Sequence, residues 1–137
     1  PAEMEKRNIH LQQKYAEIEE KEVRYEEIHC DDAEYLIVAF GSCARIAQKA
    51  MEEARAEGIK VGLLRPITLW PFPSKAIAER SRQVKGILTV ELNAGQMVED
   101  VRLAVECKVP VEYFGRLGGI VPDPDEVVTA LKEKIIK

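Results

Sequence analysis

The chain has 137 residues, of which 46% are hydrophobic, and this length and composition support one globular domain with a single core. Its 24 acidic and 20 basic side chains leave a net charge of −4, which disfavours nucleic acid and anionic membranes as partners. The sequence has no apolar run of about 18 residues and no signal-peptide pattern, so we expect a cytoplasmic protein.

The N-terminal segment, residues 1–33, differs in charge from the rest of the chain. The first 34 residues hold 11 acidic and 5 basic side chains, a balance of −6, whereas the remainder holds 13 acidic and 15 basic, a balance of +2. An apolar stripe at helical spacing runs through the segment and consists of Met4, Leu11, Tyr15 and Ile18. We therefore predict a charged helical connector, followed by a short strand at residues 23–25.

From residue 34 onward, strand and helix patterns alternate four times. The strand-like runs are YLIVAF, KVGLLR, GILTVE and VPVEYF, and a helical pattern follows each of them. Continuous apolar runs indicate strands that are buried on both faces. Ser74 and Asp123 are predicted helix N-caps, and Gly58 is a predicted C-cap. Residues 34–137 are thus predicted to form a three-layer α/β/α domain around an open, mostly parallel sheet of about five strands.

Four loops are predicted to share the carboxyl edge of this sheet, because loops that follow parallel strands meet at one edge. They span residues 41–43, 65–73, 92–95 and 115–122. The loop at 65–73 carries three prolines and the only tryptophan of the chain. Proline fixes φ, and a tryptophan ring needs a pocket or a partner, so we predict an interface formed by Arg65, Trp70 and Phe72. Trp70 and Phe72 are expected to present fixed apolar surface, and Arg65 is expected to tie the end of its strand to a neighbouring loop.

Two of these loops are candidates for binding an anionic ligand. Their candidate residues are Gly41, Ser42 and Arg45 in one loop, and Arg116, Gly118 and Gly119 in the other. Glycine-rich turns before a helix expose backbone amides that can bind phosphate. The alternative for the first loop is a tight turn in which the serine caps its helix, because no phosphate-loop or dinucleotide motif is present. For the second loop, a contact with another subunit or domain is favoured over an anion.

No catalytic constellation is evident in the sequence. Glu91 ends the third predicted strand without a paired acid or base, so we interpret it as a hydrogen-bond acceptor that anchors a loop. His10 and His29 have no second histidine at ligand spacing, and Asp31 and Asp32 belong to a charge run that is typical of a solvated surface. We therefore predict no catalytic residue and no metal site in this chain.

The three cysteines, Cys30, Cys43 and Cys107, form no C-x-x-C pair and are predicted to be reduced thiols. Cys43 lies near a predicted helix N-terminus, where the helix dipole lowers a thiol pKa. The alternative, a small buried side chain, is favoured because free cysteines are usually buried.

Three segments together resemble a known family. The segments AFGSCARIAQKAMEEARAEGIKVGLLRPITLWPFP, VELNAGQMVEDVRLAV and FGRLGGIVPDPDEV resemble the C-terminal domain of the α subunit of 2-oxoacid:ferredoxin oxidoreductases, which act on pyruvate, 2-oxoglutarate and branched-chain oxoacids. The resemblance runs from about residue 34 to the end of the chain. The strand followed by Arg-Pro-x-x-x-x-Pro is also similar to the C-terminal domains of transketolases, although Leu64 replaces the acidic residue often found there.

The resemblance implies a complex that uses thiamine diphosphate, Mg²⁺ and iron–sulfur clusters, and that passes electrons to ferredoxin and an acyl group to coenzyme A. This chain lacks a GDG-type diphosphate motif and a cluster-binding cysteine set, so we expect no cofactor in the chain itself. It is expected to be either a fragment of a longer subunit or the product of a split gene, and to act as a non-catalytic assembly domain. The resemblance further implies that residues 1–33 are the connector from a missing upstream domain. Its partners would be that upstream pyrimidine-binding domain and other subunits.

A second function remains open from the sequence. The loop edge is also suited to a module that binds a phosphate-bearing ligand such as coenzyme A, through Ser42, Arg45, Arg116 and the turn at Gly118 and Gly119. A free-standing enzyme is disfavoured, because no nucleophile and base occur together.

Overall fold

The computed structural model describes residues 1–137 and contains five α-helices and five β-strands. In chain order these are α1 Ala2–Lys21, β1 Tyr25–Ile28, β2 Tyr35–Ala39, α2 Gly41–Ala56, β3 Val61–Pro66, α3 Ser74–Ser81, β4 Ile87–Glu91, α4 Met97–Val105, β5 Val111–Gly115 and α5 Pro124–Leu131. A π-helical turn, Lys132–Ile136, continues α5. No helix has both the length and the apolar composition that crossing a membrane requires.

The five strands form one sheet in the order β1-β3-β2-β4-β5. Strands β3, β2, β4 and β5 are mutually parallel, and β1 pairs antiparallel with β3 at one edge. Each pair of consecutive parallel strands is joined through a helix, as parallel connections require. The predicted open, mostly parallel α/β sheet is confirmed.

The sheet is covered by helices on both faces, because successive side chains of a strand point to opposite sides. Ile37 and Leu88 belong to a buried cluster that includes residues of α2 and α5. Leu36 and Val38 belong to a second cluster that includes residues of α3 and α4. The three-layer α/β/α arrangement is therefore confirmed, with one core on each face of the sheet.

Of the three predicted helix boundaries, the one at Asp123 agrees with the structure, and those at Gly58 and Ser74 are each displaced by one residue, because the C-cap of α2 is Glu57 and α3 begins at Ser74. Asp123 is the N-cap of α5 and forms a capping box with Glu126, and Pro124 is the first residue of the helix. Gly58 follows α2 with φ +89°, a left-handed conformation that favours glycine. The prediction of Ser74 as an N-cap is wrong by one residue, because α3 begins at Ser74 itself and Pro73 precedes it without capping.

The N-terminal segment consists of α1 and the edge strand β1. None of the residues of α1 is buried, as expected for a charged helix that contacts a domain only through one apolar face. The predicted strand at residues 23–25 is misplaced, because the strand runs from Tyr25 to Ile28. Its register opposite β3, with Tyr25 facing Pro66 and Ile28 facing Leu63, sets its extent.

Two arginines on opposite faces of the sheet hold β1 and the segment that leads from β1 to β2. Arg55 of α2 donates to the carbonyl oxygen of His29 at 2.7 Å and to the carboxylate of Asp32 at 2.6 Å. The hydrogen bond from Arg55 is the main cause of a lowered pKa of Asp32. Arg80 of α3 donates to both carboxylate oxygens of Glu27, at 2.6 and 3.0 Å. The entry of the chain into the parallel sheet is fixed by charged hydrogen bonds from both sides.

Candidate interface at the carboxyl edge of the sheet

The four predicted loops lie on one edge of the sheet because β2, β3, β4 and β5 run in the same direction. These loops carry seven of the twelve exposed large hydrophobic residues of the chain, namely Ile67, Leu69, Trp70, Leu92, Leu117, Ile120 and Val121. We call these seven residues the apolar rim. Apolar exposure is therefore concentrated where the loops meet, which is typical of a recognition surface.

The loop after β3 is held to the N-terminal segment by backbone hydrogen bonds. The N–H groups of Ile67 and Thr68 both donate to the carbonyl oxygen of Arg24, at 2.9 and 3.1 Å. In return, the N–H of Arg24 donates to Thr68 Oγ1 at 2.9 Å, and this hydroxyl donates to the carbonyl of Pro71 at 2.7 Å. The Trp70–Pro71 peptide bond is cis. The hydrogen bonds with Arg24 and within the loop make it a fixed platform rather than a free segment.

Trp70 and Phe72 lie in different environments within this loop. The indole of Trp70 is 55% exposed and meets the ring of Tyr15 on α1 edge-on, with 5.8 Å between ring centroids. Phe72 is half-buried and packs against the core between the sheet and helices α3 and α4. Trp70 therefore presents its surface outward, whereas much of Phe72 anchors the loop to the domain.

Arg65 projects from β3 toward the edge strand. Its guanidinium pairs with the carboxylate of Glu26 on β1 at 3.2 Å, so it contacts a strand rather than the neighbouring loop that was expected. Its Nε atom is buried and has no hydrogen-bond partner. Arg65 contributes to holding β1 in place while keeping one donor unused.

The first anion-candidate loop places Gly41, Ser42 and Arg45 at the start of α2, next to the centre of the sheet. Gly41 begins the helix with φ +57°, and the N-cap position is Phe40, which has no side-chain acceptor. The alternative in which Ser42 caps its helix is wrong, because no side chain caps α2. Both Ser42 and Arg45 are exposed, and Arg45 forms no ion pair.

The second anion-candidate loop places Arg116, Gly118 and Gly119 between β5 and α5. The guanidinium of Arg116 pairs with Glu126 at 2.9 Å, so its charge is compensated within the domain. Gly118 and Gly119 have φ of +66° and +79°, which strongly favours glycine at both positions. Strand β4 separates this loop from the one at Gly41, so the two loops share an edge but start about 10 Å apart.

Glu91 anchors the loop between β4 and α4, which confirms its interpretation as a hydrogen-bond acceptor. It is 1% exposed, and its carboxylate accepts hydrogen bonds from the N–H groups of Met97 at 2.8 Å and Val98 at 3.1 Å. Further donors are the N–H of Gln96 and the side-chain amide of Asn93. Glu91 thus supplies the acceptors that the first turn of α4 lacks.

The thiol of Cys43 is buried in the core at the start of α2. Burial, and secondarily the negative charge of Glu91, raise the pKa of the Cys43 thiol. These effects oppose the helix dipole that would lower the pKa. The buried-residue interpretation of Cys43 is confirmed, and a reactive thiolate is not supported at this position.

The residues of this chain were compared with the needs of the metal-containing cofactors that the resemblance implies. No three His, Cys, Asp or Glu side chains are grouped closely enough to hold a metal ion. Cys30 and Cys43 are buried and Cys107 is exposed, so the thiols form no cluster-binding set. The side chains of this chain therefore offer no ligand set for Mg²⁺ or an iron–sulfur cluster.

Comparison with known proteins defines the class. Residues 33–127 match the model of the pyruvate:ferredoxin oxidoreductase core domain II, and the chain belongs to this family. It is 50% identical over 131 residues to ketoisovalerate oxidoreductase subunit VorB of Methanothermobacter thermautotrophicus, which covers 96% of this chain and 37% of that subunit. It is also 33% identical over 101 residues to 2-oxoglutarate synthase subunit KorA of Methanothermobacter marburgensis, covering 74% of this chain and 27% of that subunit. The resemblance to 2-oxoacid:ferredoxin oxidoreductases is confirmed.

Solved structures agree with this assignment. A 2-oxoglutarate:ferredoxin oxidoreductase from Magnetococcus marinus, with 2-oxoglutarate, coenzyme A and succinyl-CoA bound, superposes with a TM-score of 0.71 at 28% identity, over 80% of this chain and 19% of that chain. A split-gene transketolase, an inactive β4 tetramer, has the same fold, with a TM-score of 0.70 at 22% identity over 80% of this chain and 40% of that one. The chain spans 37% or less of the length of the curated relatives described here.

Proposed function

We propose that this chain is a non-catalytic assembly domain of a 2-oxoacid:ferredoxin oxidoreductase subunit. In this proposal residues 1–33 connect it to an upstream pyrimidine-binding domain, and residues 34–137 dock against other subunits. The observation that carries the proposal is the apolar rim, because a fixed edge with this much exposed apolar surface is suited to burial against a protein. Arg65, Trp70 and Phe72 are the proposed interface residues at the β3 end of this edge.

The whole complex is proposed to use thiamine diphosphate, Mg²⁺ and iron–sulfur clusters supplied by other domains. Its overall reaction would convert a 2-oxoacid, coenzyme A and two oxidised ferredoxins to an acyl-CoA, CO₂, two reduced ferredoxins and a proton. Two relatives that are 50% and 47% identical to this chain are named ketoisovalerate oxidoreductase subunits, which favours a branched-chain 2-oxoacid as the substrate. Ferredoxin reduction by the purified complex should be faster with ketoisovalerate than with pyruvate or 2-oxoglutarate.

The assembly role is tested by Trp70→Ala in the whole complex and in the 137-residue chain. Because Trp70 is 55% exposed, its loss should cost the isolated chain less than about 2 kcal/mol of folding free energy. In the complex, analytical ultracentrifugation should show dissociation at concentrations where the parent complex is intact. The control is Leu103→Ala, at an exposed position on α4 away from the rim. It should neither destabilise the isolated chain nor dissociate the complex. If Trp70→Ala unfolds the isolated chain, the indole belongs to the domain's own core.

A second candidate function is coenzyme A binding at Gly41, Ser42 and Arg45, with Arg116, Gly118 and Gly119 as further contacts. The uncapped N-terminus of α2 beside the unpaired charge of Arg45 supports this candidate. Calorimetric titration of the chain with coenzyme A should then release heat that Arg45→Gln abolishes. The control is Lys49→Gln at an exposed position further along α2, which should leave that heat unchanged. Absence of heat with the parent chain leaves assembly as the function of this edge.

A further inference from the structure

A groove of about 650 Å³ lies between the C-terminal half of α1 and the loop that follows β3. Trp70, Phe72 and Tyr25 give it an apolar lining. Glu19 and Glu20 lie on the α1 side, and Lys75, in the first turn of α3, lies on the opposite side. The groove therefore combines exposed aromatic surface with charges of opposite sign on its two walls.

The loop wall of the groove is held in place by hydrogen bonds within the domain. The carbonyl of Arg24 accepts two hydrogen bonds from the loop after β3, and Thr68 closes the loop through its hydroxyl. The ring of Tyr15 on α1 contacts Trp70 of the same loop edge-on. A fixed loop loses little conformational entropy on binding, so the aromatic rings that it carries are available at low cost.

The acidic residues that line the groove differ from those that follow them in the chain. Every acidic side chain from residue 22 to residue 34 has a basic partner, the pairs being Glu22–Arg24, Glu26–Arg65, Glu27–Arg80, Asp31–Arg80, Asp32–Arg55 and Glu34–Lys85. Glu19 and Glu20 have no such partner, and neither has Lys75. Unpaired charges beside exposed aromatic rings are typical of one half of a charge-complementary interface.

We propose that this groove is the docking site for a segment of another subunit that carries an apolar side chain next to a lysine or arginine. This inference rests on the proposed assembly function and names the chemistry of its partner. The apolar side chain lies against Trp70, and the basic group faces Glu19 and Glu20. Lys75 on the opposite wall disfavours the reversed orientation, because the incoming basic group would then meet a like charge.

The occupant is identified by photo-cross-linking in the assembled complex. Tyr25, which is 42% exposed and lines the groove, is replaced by the photoreactive analogue benzoylphenylalanine. The cross-linked peptide should come from a different subunit and should contain an apolar residue beside a lysine or arginine. The same analogue at Leu103 on α4 is the control. The proposal would be overturned by cross-links that occur only within the same subunit or only to a second copy of it. It would also be overturned by cross-links to a peptide without a basic residue, or by no cross-link at all.

The charge requirement is tested with the double variant Glu19→Gln, Glu20→Gln. Subunit association should weaken at least tenfold and should become less sensitive to salt. The matched control, Glu3→Gln with Glu5→Gln, removes two charges from the same helix outside the groove and should change the affinity less than twofold.

Two variants distinguish an error in the groove proposal from an error in the proposed assembly function. Ile120→Ser alters the apolar rim at the loop after β5, away from the groove. If Ile120→Ser weakens the complex while the Glu19 and Glu20 variant does not, the groove proposal is overturned and the assembly function stands. If neither variant changes the affinity, both are overturned.

Discussion

Glu91→Ala is the substitution with the largest expected effect on folding among the candidate residues of the carboxyl edge. The carboxylate is buried and accepts the N–H groups of Met97 and Val98, which are themselves 2% and 4% exposed. Alanine leaves both amides without an acceptor and without access to water. Each buried unpaired donor costs about 1–3 kcal/mol, so the variant should lose about 4 kcal/mol of unfolding free energy.

The loss is measured by urea unfolding of the 137-residue chain, followed by circular dichroism. For a chain of this size, about 4 kcal/mol corresponds to a fall in Tm of roughly 10–15 °C. Glu91→Gln is the matched control, because its amide oxygen still accepts one hydrogen bond. This variant should lose only about half as much unfolding free energy as Glu91→Ala. A loss below about 1 kcal/mol for Glu91→Ala would refute the reasoning, because water or a shifted loop would then satisfy both amides.

Three further predictions concern the domain itself. Gly62→Ala would place a Cβ atom 2.9 Å from the carbonyl oxygen of His29 and 3.0 Å from the Cα of Cys30, so urea unfolding should show a loss of at least about 2 kcal/mol. Burial raises the pKa of the Cys30 thiol to about 11, so at pH 8 iodoacetamide should modify exposed Cys107 within minutes and Cys30 only after unfolding, as read by mass spectrometry. The pKa of Asp32 is lowered from 3.8 by its hydrogen bond to Arg55, so the stability from this pair is present above about pH 4 and is lost as the pH falls further. In urea unfolding measured at a series of pH values, Arg55→Met should reduce the loss of stability below pH 4. An unchanged loss of stability in this variant would contradict the assignment.

The parallel part of the fold could be predicted because its signal is local. Runs such as residues 36–39 are apolar at every position, which indicates a strand covered on both faces. Strand β1 was misplaced because its sequence, YEEI, is half polar and its residues are largely exposed. What makes it a strand is pairing with β3, almost 40 residues away in the chain, and no local pattern reports that pairing.

The sequence could predict where the candidate site lies, but it could not predict the side-chain contacts of the site residues. Parallel strands place the four loops on one edge, so the positions of Trp70 and Arg116 follow from the strand pattern. The ion pair of Arg116 with Glu126 and the contact of Trp70 with Tyr15 depend on how loops and α1 lie in three dimensions. The groove formed between these elements has no sequence signal of its own, because it arises only when α1 packs beside the loop.

The proposed function requires this domain to hold the complex together and to take no part in the reaction. The most direct test measures two quantities for Ile120→Ser in the reconstituted complex, namely the Kd for subunit association and kcat for ferredoxin reduction per intact complex. The assembly role predicts a Kd raised at least tenfold with kcat unchanged at saturating subunit concentration. A reduced kcat with an unchanged Kd would contradict it, because the rim would then contribute to the reaction rather than to assembly.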